Sequence, residues 1–240
     1  MDSNAAANEG IGSVLGVSSV IIARIDVQLH DPTAAARILQ TLDAAPQGSV
    51  AAAGLHFVRG LILGETGETV QAAAEMEAYE DVPTTLRFAT AQLTDGECWV
   101  ASIEEAAGHP DKADAALRGG EHYVDRQSFR GDILDHRGDW TGAQQAYAQA
   151  VALAPDRPAG YYHWGLALAR HGDFAGAIAK LQAAHQRGPH GADPLKAWGD
   201  MLVKQGHFKQ ALGEYAEALK YAPSWTALKQ ARDAAAAKRS

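Results

Sequence analysis

The stretch RGDWTGAQQAYAQAVALAP, residues 137–155, occurs three times in this chain in related form. Thirty-four residues further on the chain reads HGDFAGAIAKLQAAHQRGP, and after another thirty-four it reads QGHFKQALGEYAEALKYAP. The copies align without a gap when units are drawn over residues 124–157, 158–191 and 192–225. A gapless internal period of this length is typical of repeat architectures, in which each unit buries its apolar face against the next one.

The residue types that recur predict that each unit is a hairpin of two helices. The recurring positions are Gly131, Gly165 and Gly199; Gly138, Gly172 and Gly206; Ala143, Ala177 and Ala211; Tyr147, Leu181 and Tyr215; Ala150, Ala184 and Ala218; and Pro155, Pro189 and Pro223. The second set of glycines marks the end of a first helix, because glycine adopts the left-handed conformation found there at little cost. Asp139 and Asp173 follow directly and are suited to cap a second helix. Each proline then marks where that second helix has ended.

The region before the regular units carries weaker copies of the same pattern. Its matching positions in residues 53–86 are Gly60, Leu63, Gly67, Ala72 and Met76, with Pro83 one place early. The stretches GHPDKADAAL from Gly108 and HDPTAAARILQTLDAAP from His30 each look like a turn followed by a second helix. With a longer connection over 87–93, these patterns predict roughly five to six helical pairs and no β-sheet over residues 53–225.

The chain therefore divides into four predicted segments. These are an N-terminal apolar segment with a degenerate helical pair (1–52), divergent repeat-like units (53–123), three regular units (124–225) and a C-terminal capping helix (226–240). The last segment reads SWTALKQARDAAAAKRS, and its basic residues are Lys229, Arg232, Lys238 and Arg239. They would give this helix the polar outer face that a terminal repeat needs.

Charge excludes one class of partner. The formal net charge of −8 argues against nucleic-acid binding, which depends on clustered Lys and Arg side chains that neutralise phosphates. Residues 1–123 hold 6 basic and 18 acidic side chains, a net −12, whereas residues 124–240 hold 15 basic and 11 acidic, a net +4. The two halves are either ordinary solvated helix faces or surfaces for different partners.

The N-terminal run from Ile11 to Ala23 is apolar, but no Lys or Arg precedes it and it is too short to span a bilayer. Cys98 is the only cysteine, which suits a reducing compartment. These features predict a soluble, cytoplasmic chain that makes no membrane contact. No polar cap covers this N-terminal edge. The run is expected either to pack inward, as a helix or a strand, or to meet a second copy or another protein.

Catalytic and metal-binding motifs are missing from the sequence. It contains no Gly-x-Ser-x-Gly, no His-Glu-x-x-His and no glycine-rich dinucleotide motif. GETGET, residues 64–69, lacks the spacing of a phosphate-binding loop. His185 and His190 lie on either side of a glycine and a proline, which break the helical spacing that a pair of metal ligands would need. We therefore predict no enzymatic activity, no metal and no cofactor.

The regular units resemble the tetratricopeptide repeat family, whose pattern is W-x2-L-G-x2-Y, then A-x3-F, then P. The second unit gives Tyr161-x2-Trp164-Gly165-x2-Leu168, then Ala177-x3-Leu181, then Pro189, and the third gives Leu195-x2-Trp198-Gly199-x2-Leu202, then Ala211-x3-Tyr215, then Pro223. The first unit departs from the pattern with Gln127 and Arg130 in the large-residue positions. The three units cover 102 of 240 residues. The resemblance implies an all-α fold, a right-handed α-solenoid of stacked antiparallel helical hairpins.

The resemblance also implies a binding surface, because positions 2, 5, 9, 12 and 13 of each such unit usually face a concave groove. Those positions hold Asp125, Ser128, Asp132, Asp135 and His136; Ala159, Tyr162, Leu166, Ala169 and Arg170; and Asp193, Lys196, Asp200, Val203 and Lys204. The candidate partner-binding residues among them are Asp132, Asp135, His136, Tyr162, Leu166, Arg170, Lys196, Asp200 and Lys204. This wall is acidic at one end and basic at the other, with an aromatic and aliphatic patch between.

Such a wall suits an extended or helical peptide with apolar anchors. The family's chaperone-tail clamp, Lys and Asn at positions 5 and 9, is absent because position 9 holds Asp132, Leu166 and Asp200. The resemblance therefore implies a non-catalytic scaffold or adaptor that binds a peptide or helix of a protein partner. The alternative is a regulatory or assembly component that acts through self-association at the N-terminal edge, or as the sensor part of a larger effector system.

Overall fold

The computed structural model describes residues 50–82, 96–118 and 124–239, together with isolated positions between 30 and 40. The ordered elements of the three described segments are eleven α-helices, with no strand among them. The helices are α1 (Val50–Thr66), α2 (Thr69–Glu80), α3 (Gly96–Ala106), α4 (Pro110–Ala116), α5 (Val124–His136), α6 (Trp140–Leu153), α7 (Ala159–Arg170), α8 (Phe174–Arg187), α9 (Ala192–Lys204), α10 (Phe208–Tyr221) and α11 (Thr226–Arg239).

The chain forms two compact units, Met1–Arg118 and Gly119–Ser240. In the described part of the first unit, α1 pairs with α2 and α3 pairs with α4. Gly67 and Gly108 make the two turns, with φ of 85° and 84°, in the left-handed region that only glycine adopts at little cost. The weak repeat patterns around these two glycines therefore do form helical hairpins.

The second unit contains the three regular hairpins, α5 with α6, α7 with α8, and α9 with α10. Their turn glycines, Gly138, Gly172 and Gly206, have φ of 85°, 81° and 79°. The predicted caps are present, because the side chains of Asp139 and Asp173 each accept a hydrogen bond at 2.9 Å from the backbone nitrogen three residues ahead. These bonds satisfy donors that the first turn of a helix leaves unpaired.

A recurring glycine in the first helix of four of the hairpins lies beneath a large side chain of the second helix. A Cβ added to Gly131 would lie 2.4 Å from the Tyr147 ring, and one added to Gly199 would lie 2.5 Å from the Tyr215 ring. The corresponding pairs elsewhere are Gly165 with Leu181, at 2.9 Å, and Gly60 with Met76, at 2.5 Å. These side chains are fully buried, so each recurring glycine is the contact that lets two helices of a hairpin approach closely.

Helix α11 packs against the last hairpin. Leu228 and Ala235 are buried on α11 and join the apolar cluster that contains Ala211 and Tyr215 of α10. Lys229, on the other side of the helix, is exposed. The apolar face of α10 is thus buried by a helix whose outer surface is polar.

Some expectations fall outside the described residues. These are the N-terminal run from Ile11 to Ala23, most of the stretch that begins at His30, Pro83 and the connection over 87–93. None of the helices in the described segments is both long enough and apolar enough to span a bilayer.

Candidate functional site

We call the side chains at positions 2, 5, 9, 12 and 13 of the three regular units the first-helix face, because α5, α7 and α9 carry them. The nine candidate residues all lie there: Asp132, Asp135 and His136 on α5; Tyr162, Leu166 and Arg170 on α7; and Lys196, Asp200 and Lys204 on α9. Each of the nine is at least partly exposed. Several of these side chains are not simply exposed to solvent, because they form hydrogen bonds or ion pairs with other residues of the chain.

The residue at position 9 of each unit is matched to the buried residue at position 24. Asp132 accepts a hydrogen bond from the Tyr147 hydroxyl at 2.8 Å, and Asp200 accepts one from the Tyr215 hydroxyl at 2.7 Å. In the middle unit both positions are leucine, Leu166 and Leu181, and the two belong to one apolar cluster. The polar or apolar character of the face at position 9 is therefore set jointly with the interior of the same hairpin.

Burial raises the pKa of both tyrosines, Tyr147 and Tyr215, far above the usual value, and the carboxylate that each one contacts raises it further. Both hydroxyls therefore stay protonated and donate to a carboxylate. A buried hydroxyl without such a partner would destabilise the hairpin, so the aspartates satisfy a requirement of the interior.

Ion pairs join the first helix of one hairpin to the first helix of the next. Asp132 Oδ2 lies 2.5 Å from His163 Nδ1. Asp135, whose side chain is only 5% exposed, contacts the Arg170 guanidinium at 2.7 and 2.8 Å and His171 Nε2 at 2.6 Å. We call this set of five residues the α5–α7 junction. It uses both aspartates that the sequence offered as the acidic end of the groove.

Within the α5–α7 junction, Asp132 and His163 each favour the charged form of the other. Burial alone would lower the pKa of His163, but the Asp132 carboxylate outweighs it and holds that pKa above the ordinary value. Burial likewise opposes ionisation of Asp132, but His163, Tyr147 and Arg170 together hold its pKa below the ordinary value. The contact therefore favours the charged form of both groups, and it ties α5 to α7 by a charge-assisted hydrogen bond.

Tyr162 occupies the middle of the first-helix face and differs from the other two tyrosines. Its hydroxyl forms no hydrogen bond with the residues that the structure describes. Burial raises the pKa of Tyr162, and the carboxylates of Asp193, Asp132 and Asp200 raise it further. The half-buried side chain packs, together with Leu166, against the apolar cluster that contains Leu181 and Met201. Tyr162 thus offers a hydroxyl that the fold itself leaves unused.

The third unit carries the basic residues of the face. Lys196 donates to Asp200 at 2.8 Å and lies 5.5 Å from the centroid of the Trp225 ring. Lys204 is exposed, lies 5.3 Å from the centroid of the Phe174 ring, and forms no ion pair with the described residues. Of these two lysines, Lys204 is the one whose charge is not already matched by a carboxylate.

The sequence did not reveal the histidines that bond to Asp132 and Asp135. His163 and His171 lie at positions 6 and 14 of the second unit, and neither belongs to the recurring pattern. A signal for the tyrosine pairs was nevertheless present. Aspartate at position 9 occurs with tyrosine at position 24 in the first and third units, and leucine occurs with leucine in the second.

The described segments hold no group of three or more His, Cys, Asp or Glu side chains that could bind a metal. Cys98 is buried at 2% exposure, and His190 packs edge-on against the Tyr221 ring. The expectation that the chain needs no metal or cofactor stays a prediction.

Comparison with known proteins fits this geometry. Residues 130–192 match the tetratricopeptide repeat family model. No curated protein sequence matches the chain. Among solved structures, yeast Tom70 is similar with a TM-score of 0.57 and 16% identity, and the match covers 92% of this chain and 46% of Tom70. This chain therefore spans about half the length of Tom70.

Two further structures support the same fold. A thermophilic tetratricopeptide repeat protein from Thermus thermophilus matches with a TM-score of 0.57 and 18% identity, over 77% of this chain and 99% of that one. A chain of the APC/C hetero-tetramer Cut9–Hcn1 matches with a TM-score of 0.52 and 13% identity, over 92% of this chain and 42% of that one. At these identities the likeness concerns the fold, a right-handed α-solenoid of stacked antiparallel hairpins. The repeat pattern, the hairpin geometry and the family match agree, so this chain contains a tetratricopeptide repeat segment at residues 130–192, within a fold that these solved structures share.

Proposed function

We propose that this protein is a non-catalytic scaffold whose first-helix face binds a peptide or helix of a partner protein. Stacked repeats of this kind expose extended surfaces and act as interaction scaffolds. The observation that carries the proposal is the state of Tyr162, whose hydroxyl has no partner within the described residues although it lies at the centre of the face.

The nine candidate residues have two different roles in this proposal. Asp132, Asp135 and Asp200 hold the hairpins together through bonds to residues of this chain. Tyr162 and Lys204, with the apolar patch around Leu166, remain for contact with a partner.

This division defines the chemistry of the ligand. An apolar side chain would lie on the patch around Leu166, a hydrogen-bond acceptor would meet the Tyr162 hydroxyl, and an acidic group would meet Lys204. The ligand would be an extended or helical segment, because the three groups lie on successive first helices or along one of them.

The absence of catalysis and the cytoplasmic location are part of the same proposal. The hydroxyls of Tyr147 and Tyr215 donate to carboxylates and are buried, so neither is placed to act on a substrate. A scaffold that binds intracellular proteins would also agree with a chain that holds a single cysteine.

The experiment is affinity enrichment from the source cell's lysate, followed by calorimetry with the captured protein after purification. Tyr162→Phe with Lys204→Glu removes one hydroxyl and reverses one exposed charge, so helical content should be unchanged. We expect this variant to bind at least about 10-fold more weakly, the effect of losing one hydrogen bond or ion pair at an interface. Lys209→Glu, an exposed lysine on α10, is the matched control and should bind normally.

Equal affinity of the Tyr162→Phe, Lys204→Glu variant and the native chain would show that the contact lies elsewhere. Capture of this chain by itself, with a mass in solution above that of a monomer, would favour assembly through self-association.

A further inference from the structure

A second group of polar side chains lies between α7 and α8, at positions that the first-helix face does not use. Lys180 Nζ is 3.5 Å from the centroid of the Trp164 ring and 5.8 Å from the centroid of the Tyr161 ring. The guanidinium carbon of Arg187 is 4.0 Å from the same Tyr161 centroid. Two cations therefore share one aromatic platform. We call these four residues the Lys180 cluster.

Hydrogen bonds fix the arginine in this position. Arg187 Nε donates to the backbone oxygen of Pro155 at 2.5 Å, and Nη1 donates to the backbone oxygen of Ala183 at 2.8 Å. The Tyr161 hydroxyl donates to the same Pro155 oxygen at 3.2 Å. These bonds hold the guanidinium beside the Tyr161 ring, and Nη2 forms no hydrogen bond with the described residues.

The Lys180 cluster has no counter-charge within the described part of the chain. Neither Lys180 nor Arg187 forms an ion pair there, whereas the half-buried Lys196 is paired with Asp200 at 2.8 Å. Burial lowers the pKa of Lys180, and no carboxylate offsets that effect. The indole nitrogen of Trp164 is also buried without an acceptor. Half-buried cations that lack a counter-ion are destabilising, so this group of donors is poised to accept an anion.

We infer that the Lys180 cluster binds an oxyanion, a carboxylate or a phosphate group, between Lys180 and Arg187. Both cations are measured from one ring centroid, so the sum of the two distances, 9.8 Å, is the largest separation of Nζ from the guanidinium carbon. An oxyanion that accepts a bond of about 2.8 Å from each cation reaches at most about 9 Å from Nζ to the guanidinium carbon, so it can bridge the two cations at any separation up to that distance. Arginine with aromatic support is well suited to such recognition.

This site is independent of the proposed function. It lies on positions 4, 7, 23 and 30 of the second unit, and none of these positions belongs to the first-helix face. The bound group would be a side chain or modification of a polypeptide, or a free anion of the same chemistry.

The test is NMR of the full chain labelled with ¹³C-lysine, with Lys180 assigned by loss of its signal in Lys180→Arg. Inorganic phosphate and acetate are titrated separately, and sodium chloride keeps the ionic strength constant. We expect a saturable change in the Lys180 Cε signal and a rise in the pKa of Lys180, with a dissociation constant on the order of 1–10 mM for so small a ligand. Lys209, exposed on α10, should shift little and serves as the control.

Variants separate a binding site from a structural contact. Arg187→Gln should weaken binding about 10-fold, because one charge-assisted bond is lost. Arg187→Lys keeps the charge and should recover part of that affinity. A preference for phosphate would indicate a phosphorylated ligand, and equal or stronger binding of acetate would indicate an acidic side chain. The inference is wrong if Lys180 responds no more than Lys209, or if Arg187→Gln binds both anions as the native chain does.

Discussion

At Gly199 the helices α9 and α10 approach each other as closely as a residue without a side chain allows, because the Tyr215 ring lies over it. Tyr215 is 1% exposed and its hydroxyl is bonded to Asp200, so the ring has little freedom to move aside. The same relation holds in every regular hairpin, with Leu181 replacing tyrosine in the second.

Replacement of Gly199 by alanine should therefore destabilise the fold although alanine is the better helix former. The added Cβ would lie 2.5 Å from the Tyr215 ring, and overpacking of this kind costs about 1–3 kcal/mol. Urea denaturation followed by circular dichroism measures the change. Gly213→Ala on α10 is the matched control. No atom lies within 4 Å of its new Cβ, so it should stabilise the helix by about 0.5–1 kcal/mol. A Gly199→Ala protein as stable as the Gly213→Ala protein would contradict this account.

The spacing of these glycines is visible in the sequence, but the side chain that covers each of them is not. The turn glycines could be interpreted correctly, because a positive φ at the end of a helix is a local requirement. The close contact between Gly131 and Tyr147 depends on how two helices rotate about their axes. That rotation follows from packing of the whole hairpin and is not encoded by any short stretch.

At the scale of the elements, the α5–α7 junction is the feature that couples one hairpin to the next by charge. The pKa of His163 is raised, so its contribution to stability is complete below the unfolded value of 6.5 and disappears as the pH rises through the folded value. The pKa of Asp132 is lowered, so its contribution is complete above 3.8 and disappears as the pH falls through the folded value. Both contributions are complete between pH 3.8 and 6.5.

We expect the native chain to lose more stability than His163→Gln as the pH is raised from about 6 to 9, by on the order of 1 kcal/mol. Every other histidine is present in both proteins, so the difference between the two pH profiles isolates His163. Urea denaturation at each pH measures it, and NMR titration of the imidazole should give a pKa above 6.5. His207→Gln, at an exposed residue without a cap hydrogen bond, should follow the native profile. Parallel profiles for the native chain and His163→Gln would rule out the pairing.

The sequence could not reveal the α5–α7 junction. Its partners are 31 and 36 residues apart, and which histidine faces which aspartate depends on how α7 lies against α5. Position in the unit identifies the residues of the face but does not reveal their partners within the chain. Because Asp132, Asp135 and Asp200 already form bonds within the chain, the binding surface that we propose depends on Tyr162, Lys204 and the apolar patch around Leu166.

At the scale of the whole molecule, stability in a repeat array is a sum of contacts between neighbours. Helix α11 makes the last of these contacts, through Leu228 and Ala235. The repeats from residue 124 onward could be predicted from the sequence because the same residue types recur at the same positions in every unit. The fold of residues 1–49 lies outside the described residues, so the expectations for the N-terminal edge remain predictions.

Replacement of Leu228 by alanine should lower the free energy of unfolding by about 2–5 kcal/mol, as expected for a leucine that is fully buried. Native-state hydrogen exchange should localise the effect. Amides of α9 and α10 should exchange faster, while those of α1 and α2 stay unchanged, because contacts act between neighbours. Lys229→Ala, its exposed neighbour, should change stability by no more than about 0.5 kcal/mol. Uniformly faster exchange along the chain would instead indicate one cooperative fold.

The match between position 9 and position 24 would limit how the binding face that we propose could acquire a new ligand. An aspartate on the face occurs with a tyrosine inside, and a leucine on the face occurs with a leucine inside. A single change at Asp132 would leave the Tyr147 hydroxyl without its acceptor, so a new specificity must alter both members of the pair together. Exchange of whole hairpins as modules satisfies this condition automatically. Duplication and shuffling of complete units is therefore the less destabilising route by which this surface can diversify, in evolution or by design.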